Sequence, residues 1–115
     1  MIPIYLRKDD LSYMPVERDA EKVLYAQALR QKCLLVFDNG ETFKWGYPLI
    51  EFEKLVASTG KYFRLHDSYL ALKKSIIDCC WCWAVLDKFQ KRLPVGRNKF
   101  AAVQEIVKAN NRPAD

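Results

Sequence analysis

The stretch Cys33-Leu34-Leu35-Val36-Phe37-Asp38-Asn39-Gly40-Glu41-Thr42-Phe43-Lys44-Trp45 decides the fold class. Two apolar runs flank Asn39-Gly40, the dipeptide that type I′ turns prefer because both turn residues need positive φ. A two-residue loop would place Val36 opposite Phe43. The first run is apolar at every position, so a strand formed by it has to be covered on both faces. The sequence therefore predicts a small antiparallel sheet built on the hairpin 33–45.

Patterns on either side of this hairpin predict the other elements of the N-terminal part. Residues 2–6 alternate as in a short strand. Residues 17–30 combine acidic side chains at the start with apolar positions at i, i+3 and i+4, as in a helix. Residues 48–60 begin with Pro48 and end with Gly60, which suits a second helix, and residues 61–65 have the composition of a strand.

The C-terminal half is predicted to be helical. Asp67 or Ser68 can cap a long central helix over residues 69–91, Pro94 and Gly96 interrupt it, and a last helix runs over residues 98–110 with a frayed end at 110–115. The fold class is α+β: a small antiparallel sheet packed on helices, in a single compact domain over residues 1–115.

The densest cluster of reactive residue types is Cys79-Cys80-Trp81-Cys82-Trp83. Its C-x-x-C spacing is typical of zinc and redox sites, but no second ligand pair exists and a helix interior does not lower a thiol pKa. We therefore expect packing, with no metal and no cofactor. On the predicted helix, Ile77, Trp81 and Val85 form a second apolar stripe, which favours an interface with a partner protein or with a second copy of the chain.

The net charge of +5 is concentrated in the C-terminal part of the chain. Residues 88–99 contain five cations and no acid, and the last helix adds polar side chains on one face. Arg97 and Lys99 lie at a predicted helix N-terminus, where cations are unfavourable and an anion would be stabilising. Two helices joined by a short turn also have the outline of a helix-turn-helix. The candidate anion or nucleic-acid site consists of Lys88, Lys91, Arg92, Arg97, Lys99, Gln104 and Lys108.

These features favour a binding protein over an enzyme. The leading hypothesis is a small regulator that docks on a protein and catalyses no reaction. The alternative is nucleic-acid binding through the basic C-terminal unit. A cysteine-dependent enzyme that uses Cys82 or Cys79 with His66 is the second alternative. Four cysteines without a secretory signal, and apolar runs too short to span a membrane, predict a cytoplasmic location and no membrane partner.

Overall fold

Two paired strands form the centre of the structure, a computed structural model that describes residues 1–7 and 14–111. Strand β3 is Val23–Leu29 and strand β4 is Lys32–Phe37, and they pair antiparallel around the turn at residues 30–31. The first four residues of β3 are all buried. Successive side chains of a strand point to opposite faces, so burial at consecutive positions means that both faces of this pair are covered.

The described residues form strands, two α-helices and four short 3₁₀ turns. The remaining strands are β1 Pro3–Leu6, β2 Val16–Asp19, β5 Thr42–Trp45, β6 Tyr62–His66, β7 Tyr69–Leu72, β8 Ile76–Cys80, β9 Trp83–Leu86 and β10 Arg92–Pro94. The helices are α1 Leu49–Val56 and α2 Phe100–Asn110. The 3₁₀ turns are Ala20–Lys22, Ala57–Thr59, Lys73–Ser75 and Arg97–Lys99.

The strands are arranged in three antiparallel sheets. The central sheet has five strands in the order β5-β4-β3-β7-β6. A two-stranded sheet, β1-β2, and a three-stranded sheet, β10-β9-β8, accompany it. The α+β class predicted from the sequence is confirmed.

Two hydrophobic cores lie on opposite faces of the central sheet. The first contains side chains of β1, the central sheet and α1; within it, the rings of Phe37 and Phe43 meet edge to face, with centroids 5.6 Å apart. The second contains side chains of the central sheet, the three-stranded sheet and α2, whose Val103 is fully buried. Each core therefore supplies the cover that one face of β3 and β4 requires.

Several predicted elements are present. Residues 2–6 contain β1, residues 61–65 overlap β6, and residues 98–110 contain α2. Helix α1 begins after Pro48, and the 3₁₀ turn that follows it ends at Gly60, which has φ +66°. Gly60 takes the left-handed conformation because it has no Cβ to clash with the preceding turn.

The hairpin at residues 33–45 is present, but its predicted register is wrong by one residue. Leu35, not Val36, lies opposite Phe43. The Phe37 N–H donates to the Glu41 carbonyl and the Gly40 N–H donates to the Phe37 carbonyl, which leaves a three-residue loop. Gly40 has φ +93° and Asn39 has no positive φ. A type I turn followed by a left-handed glycine therefore replaces the type I′ turn.

The two helices predicted over residues 17–30 and 69–91 are wrong, because both segments form strands and 3₁₀ turns. Residues 23–26 are buried on both faces of the central sheet, and such a continuous apolar run has no strand-like alternation. In residues 79–86 the inward side chains are Cys79, Ala84 and Leu86, and their alternation with outward ones is the strand period of two. The helical stripe of Ile77, Trp81 and Val85 does not exist.

The helix-turn-helix outline is also wrong, since a strand and not a helix precedes α2. The end of α2 is attached to β8: the Asn110 side-chain amide donates to the carbonyls of Lys73 and Ile76, and the Asn111 amide donates to that of Ile77. Asn110 and Asn111 are thus held in place, whereas the rest of the predicted frayed end, residues 112–115, lies outside the described residues.

We expect Gly40→Ala to destabilise the chain by about 1–2 kcal/mol, because an L-residue is strained in the left-handed region. The nearest atom to an added Cβ is a ring carbon of Phe89 at 3.6 Å, so the cost comes from the backbone and not from a clash. Denaturant unfolding of the variant measures it. Gly46→Ala is the matched control, since Gly46 has no positive φ and no atom within 4 Å of an added Cβ. Equal losses in the two variants would contradict the assignment of strain to Gly40.

Candidate nucleic-acid interface

Hydrogen bonds bring four turns together at one end of the molecule. The Ala28 N–H donates to the Ser68 carbonyl over 2.8 Å, which places the β3–β4 turn beside the β6–β7 turn. The Gly96 N–H donates to the Leu65 carbonyl over 2.8 Å, and the Val95 N–H donates to the Cys82 carbonyl over 2.7 Å. We call the end formed by residues 30–31, 66–68, 81–82 and 96–99 the four-turn surface.

The four-turn surface is predominantly cationic. Arg30 and Arg97 are exposed, and Lys99 is half-buried with its Nζ 5.7 Å from the centre of the Phe63 ring. The carboxylate in these four turns is Asp67, whose side chain is exposed. An aromatic ring holds a lysine in place without neutralising it, so the three cations keep their charge for a ligand.

Arg64 fixes the shape of the β6–β7 turn by hydrogen bonds to backbone carbonyls of the turn. Its Nη1 pairs with Glu53 of α1 at 3.0 Å, while its Nε donates to the His66 carbonyl at 3.0 Å and its Nη2 donates to the Asp67 carbonyl. The Ser68 N–H donates to Nδ1 of His66 over 3.1 Å. An imidazole whose Nδ1 accepts a hydrogen bond carries its proton on Nε2, so His66 has a donor left for a bound group.

Elsewhere on the described surface, several cations are neutralised by carboxylates. Arg18 makes two parallel hydrogen bonds of 2.9 Å to Glu41, which raise the pKa of the guanidinium. The hydrogen bond from the N-terminal ammonium, and after it the hydrogen bond from Lys61, lower the pKa of the Glu21 carboxyl. The pairs Lys54–Glu51 and Lys108–Glu105 are exposed i, i+3 contacts on the helices. These cations are poorer phosphate ligands than those of the four-turn surface.

The predicted basic residues are divided between distant places. Lys88 lies beside the β4–β5 hairpin, where its Nζ donates to the Asp38 carbonyl, in a pocket lined by four lysines and four carboxylates. Lys91 lies over the Tyr25 ring at 5.7 Å. Arg92 stands on the outer face of the three-stranded sheet, and Gln104 and Lys108 are exposed on α2. Only Arg97 and Lys99 of the predicted set belong to the four-turn surface.

The residues predicted as a docking stripe lie along the β8–β9 hairpin. Val85 pairs with Asp78 on one side and with Arg92 on the other, on the outer face of the three-stranded sheet. Ile77 is the bulged residue at the start of β8 and is 42% exposed. Trp81 occupies the tip of the hairpin and is 84% exposed. Trp81 therefore belongs to the four-turn surface, whereas Ile77 and Val85 lie along the strands.

Sequence reasoning missed Arg30 and His66 as members of this end. Arg30 has φ +59° as the first of two loop residues between β3 and β4. That position of a type II′ turn normally takes glycine, so an arginine there gives no turn signal. His66 was considered only as a partner for a cysteine. In the described residues it contacts Ser68 and the ring of Tyr69.

Two of the four cysteines, Cys33 and Cys79, are poor nucleophiles in the described structure. All four are free thiols; Cys33 is buried, and burial raises its pKa to about 12. Burial, together with the neighbouring Asp78 and Cys80, raises the pKa of Cys79. A raised pKa keeps a thiol protonated and unreactive at neutral pH. Among residues 1–7 and 14–111, no group of three or more His, Cys, Asp or Glu side chains could hold a metal ion.

Comparison with solved structures identifies a protein with the same architecture. The chain is similar to the LytTr DNA-binding domain of a Bacillus cereus protein described as a methyl-accepting/DNA response regulator. The superposition has a TM-score of 0.70 and covers 93% of this chain and 97% of that domain, at 18% sequence identity. The two chains share a fold. No protein-family model and no curated protein matches the sequence.

One further observation concerns membranes. None of the helices in the part of the chain that the structure describes is long and apolar enough to cross a bilayer.

We expect the exposed thiols of Cys80 and Cys82 to react quickly with a thiol reagent at pH 8 in the native protein. Cys79 should react slowly, and Cys33 should react only on unfolding, because its raised pKa and its burial both oppose thiolate formation. A stoichiometric time course with and without denaturant measures this order. Reaction of Cys33 in the native state at the rate of the exposed thiols would show that the first core is open.

Proposed function

We propose that the chain binds double-stranded DNA through the four-turn surface and performs no bond chemistry. The observation that carries the proposal is the set of three cations, Arg30, Arg97 and Lys99, which hydrogen-bonded turns hold at one end without a salt bridge to any described carboxylate. The DNA-binding name of the structural neighbour supports the same choice. Nucleic-acid binding thereby replaces protein docking as the leading hypothesis.

The proposed contacts are of two kinds. Arg30 and Arg97 have exposed guanidinium groups that can donate to phosphate oxygens in a bidentate manner, and Lys99 adds a point charge. Phosphate contacts fix orientation and carry little sequence information. Polar donors of the same end, such as Nε2–H of His66, are suited to a second kind of contact with base edges or phosphates.

Rigid support under the turns favours this use of them. Strands β3, β6 and β7 are neighbours in the central sheet, and the turns that follow β3 and β6 lie at the same end of the strands. Arg64 holds the His66–Ser68 turn from inside the protein and should act as a positioning residue that does not itself touch DNA. A binding surface built on strand ends is already arranged before the ligand arrives, which reduces the entropy lost on binding.

Protein docking and homodimer formation remain a second proposal, located on the outer face of the three-stranded sheet. Trp83 is 44% exposed there, and together with Val85 and Arg92 it lines a shallow groove. Trp81 and Cys82 at the hairpin tip line the same groove, so a partner seated on it would also cover part of the four-turn surface. The cytoplasmic location predicted from the sequence is in keeping with either role.

The test of DNA binding is the salt dependence of affinity for a random-sequence 30-base-pair duplex. We expect retention at about 50 mM salt and a steep loss of affinity as the salt concentration rises, because each phosphate neutralised adds about −0.9 to the slope of log K against log salt. The double variant Arg97→Ala, Lys99→Ala should make that slope shallower by about 2. Fluorescence anisotropy under reducing conditions measures both.

Lys54→Ala is the matched control, since Lys54 is an exposed lysine of α1 that is paired with Glu51. It should leave the slope within experimental error of the wild type. The double variant Lys88→Ala, Lys91→Ala tests the predicted basic residues that lie outside the four-turn surface. Absence of binding by the wild type at low salt would end the proposal, and a larger effect at Lys88 and Lys91 would move the DNA to the opposite end of the molecule.

A further inference from the structure

Trp81 combines exposure with backbone strain. It is the first of two loop residues between Cys80 and Trp83, which pair across the hairpin. Its side chain is 84% exposed and its φ is +58°. The first loop position of such a hairpin favours glycine because a Cβ is unfavourable at positive φ. A large apolar residue here is unfavourable for folding on two counts, since it strains the backbone and leaves the indole in water.

The surroundings of Trp81 indicate what the indole contacts. The Cys82 carbonyl, next in the chain, accepts the Val95 N–H at 2.7 Å, and Arg97 follows Val95 by two residues. Trp81 also lines a groove together with the exposed cation Arg92. Trp83 lines the same groove from the outer face of the sheet, where it pairs with Pro94, but it is 44% exposed and has no positive φ. A cation next to an exposed indole suits a ligand that carries negative charge and also has apolar surface. The grooves of DNA combine these two properties.

We infer that Trp81 reads sequence in the DNA bound at the four-turn surface, with the tip of the β8–β9 hairpin in the major groove and the indole packed on a thymine C5-methyl group. This inference rests on the proposed DNA-binding function. The major groove is about 12 Å wide and admits a two-stranded ribbon. In that groove the C5-methyl group distinguishes thymine from the other bases, and a flat apolar side chain can pack against it. Arg30 and Arg97 of the four-turn surface remain available for phosphates.

The experiment begins with selection of a preferred duplex from a random library by the wild-type protein. Affinity is then measured for the selected duplex and for the same duplex with each thymine replaced in turn by uracil, which lacks only the C5-methyl group. The proteins are wild type, Trp81→Ala, Trp81→Gly and the matched control Phe89→Ala, since Phe89 is an exposed aromatic residue with φ +60° in the connection between β9 and β10. A nonspecific duplex gives the sequence-independent affinity for each of them.

We expect one thymine-to-uracil replacement to weaken wild-type binding about fivefold or more, and to have no further effect on Trp81→Ala. Both Trp81 variants should bind the selected duplex about tenfold or more weakly and the nonspecific duplex as the wild type does. Phe89→Ala should behave as the wild type in both assays. Equal sensitivity to uracil in wild type and Trp81→Ala would overturn the inference.

Stability measurements separate this role from a structural one. Trp81→Gly removes the strain at positive φ, so we expect it to unfold at a temperature equal to or above that of the wild type while it loses sequence preference. Loss of stability together with affinity would instead assign Trp81 to packing and overturn the inference. If the wild type binds no duplex, the proposed function itself is wrong. If the wild type binds with full salt dependence but Trp81 has no effect, only this inference is wrong.

Discussion

Burial of both faces of the β3–β4 pair is the constraint on which the rest of the structure depends. In β3, Val23 and Ala26 belong to one core, while Leu24 and Tyr25 belong to the other. Elements far apart in the chain must therefore cover this pair, with β1 and α1 on one face and the three-stranded sheet and α2 on the other. Because the cover consists of antiparallel strands and short connections, four turns meet at one end of the molecule. The position of the four-turn surface therefore follows from the packing of the core.

Strain in the backbone is concentrated in the turns. Arg30, Trp81, Phe89 and Gln90 all have positive φ without being glycine. Each left-handed residue of this kind costs about 1–2 kcal/mol, a considerable fraction of the stability of a small domain. Such conformations persist where the neighbouring structure determines them, and here the paired strands on both sides of each turn do so. Arg30 and Trp81 lie at the four-turn surface, so part of the strain coincides with the side chains that we assign to binding.

The same turns explain how much of the fold could be predicted from the sequence. Helix α1, helix α2 and the hairpin at residues 33–45 have ordinary signals, such as Pro48, Gly60 and Gly40, and they were located correctly. The turn at residues 81–82 contains no glycine or proline, so the apolar segment around it reads as one continuous helix. Residues 17–30 were assigned to a helix because the start of β3 is buried on both faces and shows no alternation. The register of the hairpin could not be fixed either, because Asn-Gly suits both a two-residue loop and the three-residue loop that forms.

The candidate site could be predicted only in part, because the sequence does not show which turns meet in the folded chain. Local sequence showed that Arg97 and Lys99 are unfavourably placed before a helix, but it could not show that Arg30 and His66 lie beside them, since those contacts depend on strand pairing across the sheet. It also could not separate neutralised cations from available ones. Lys88 and Arg97 look alike in the sequence, yet one lies among carboxylates and the other does not.

The position of Arg97 and Lys99 is what gives the four-turn surface its electrostatic character. Helix α2 has no acidic residue in its first turn and no side-chain cap, and the two cations lie in the turn that leads into it. The partial positive charge of the helix N-terminus therefore adds to theirs. In the free protein these like charges repel one another, which opposes folding to a small extent. A phosphate placed among them would remove the repulsion, so an arrangement that is unfavourable alone would become favourable with an anionic ligand.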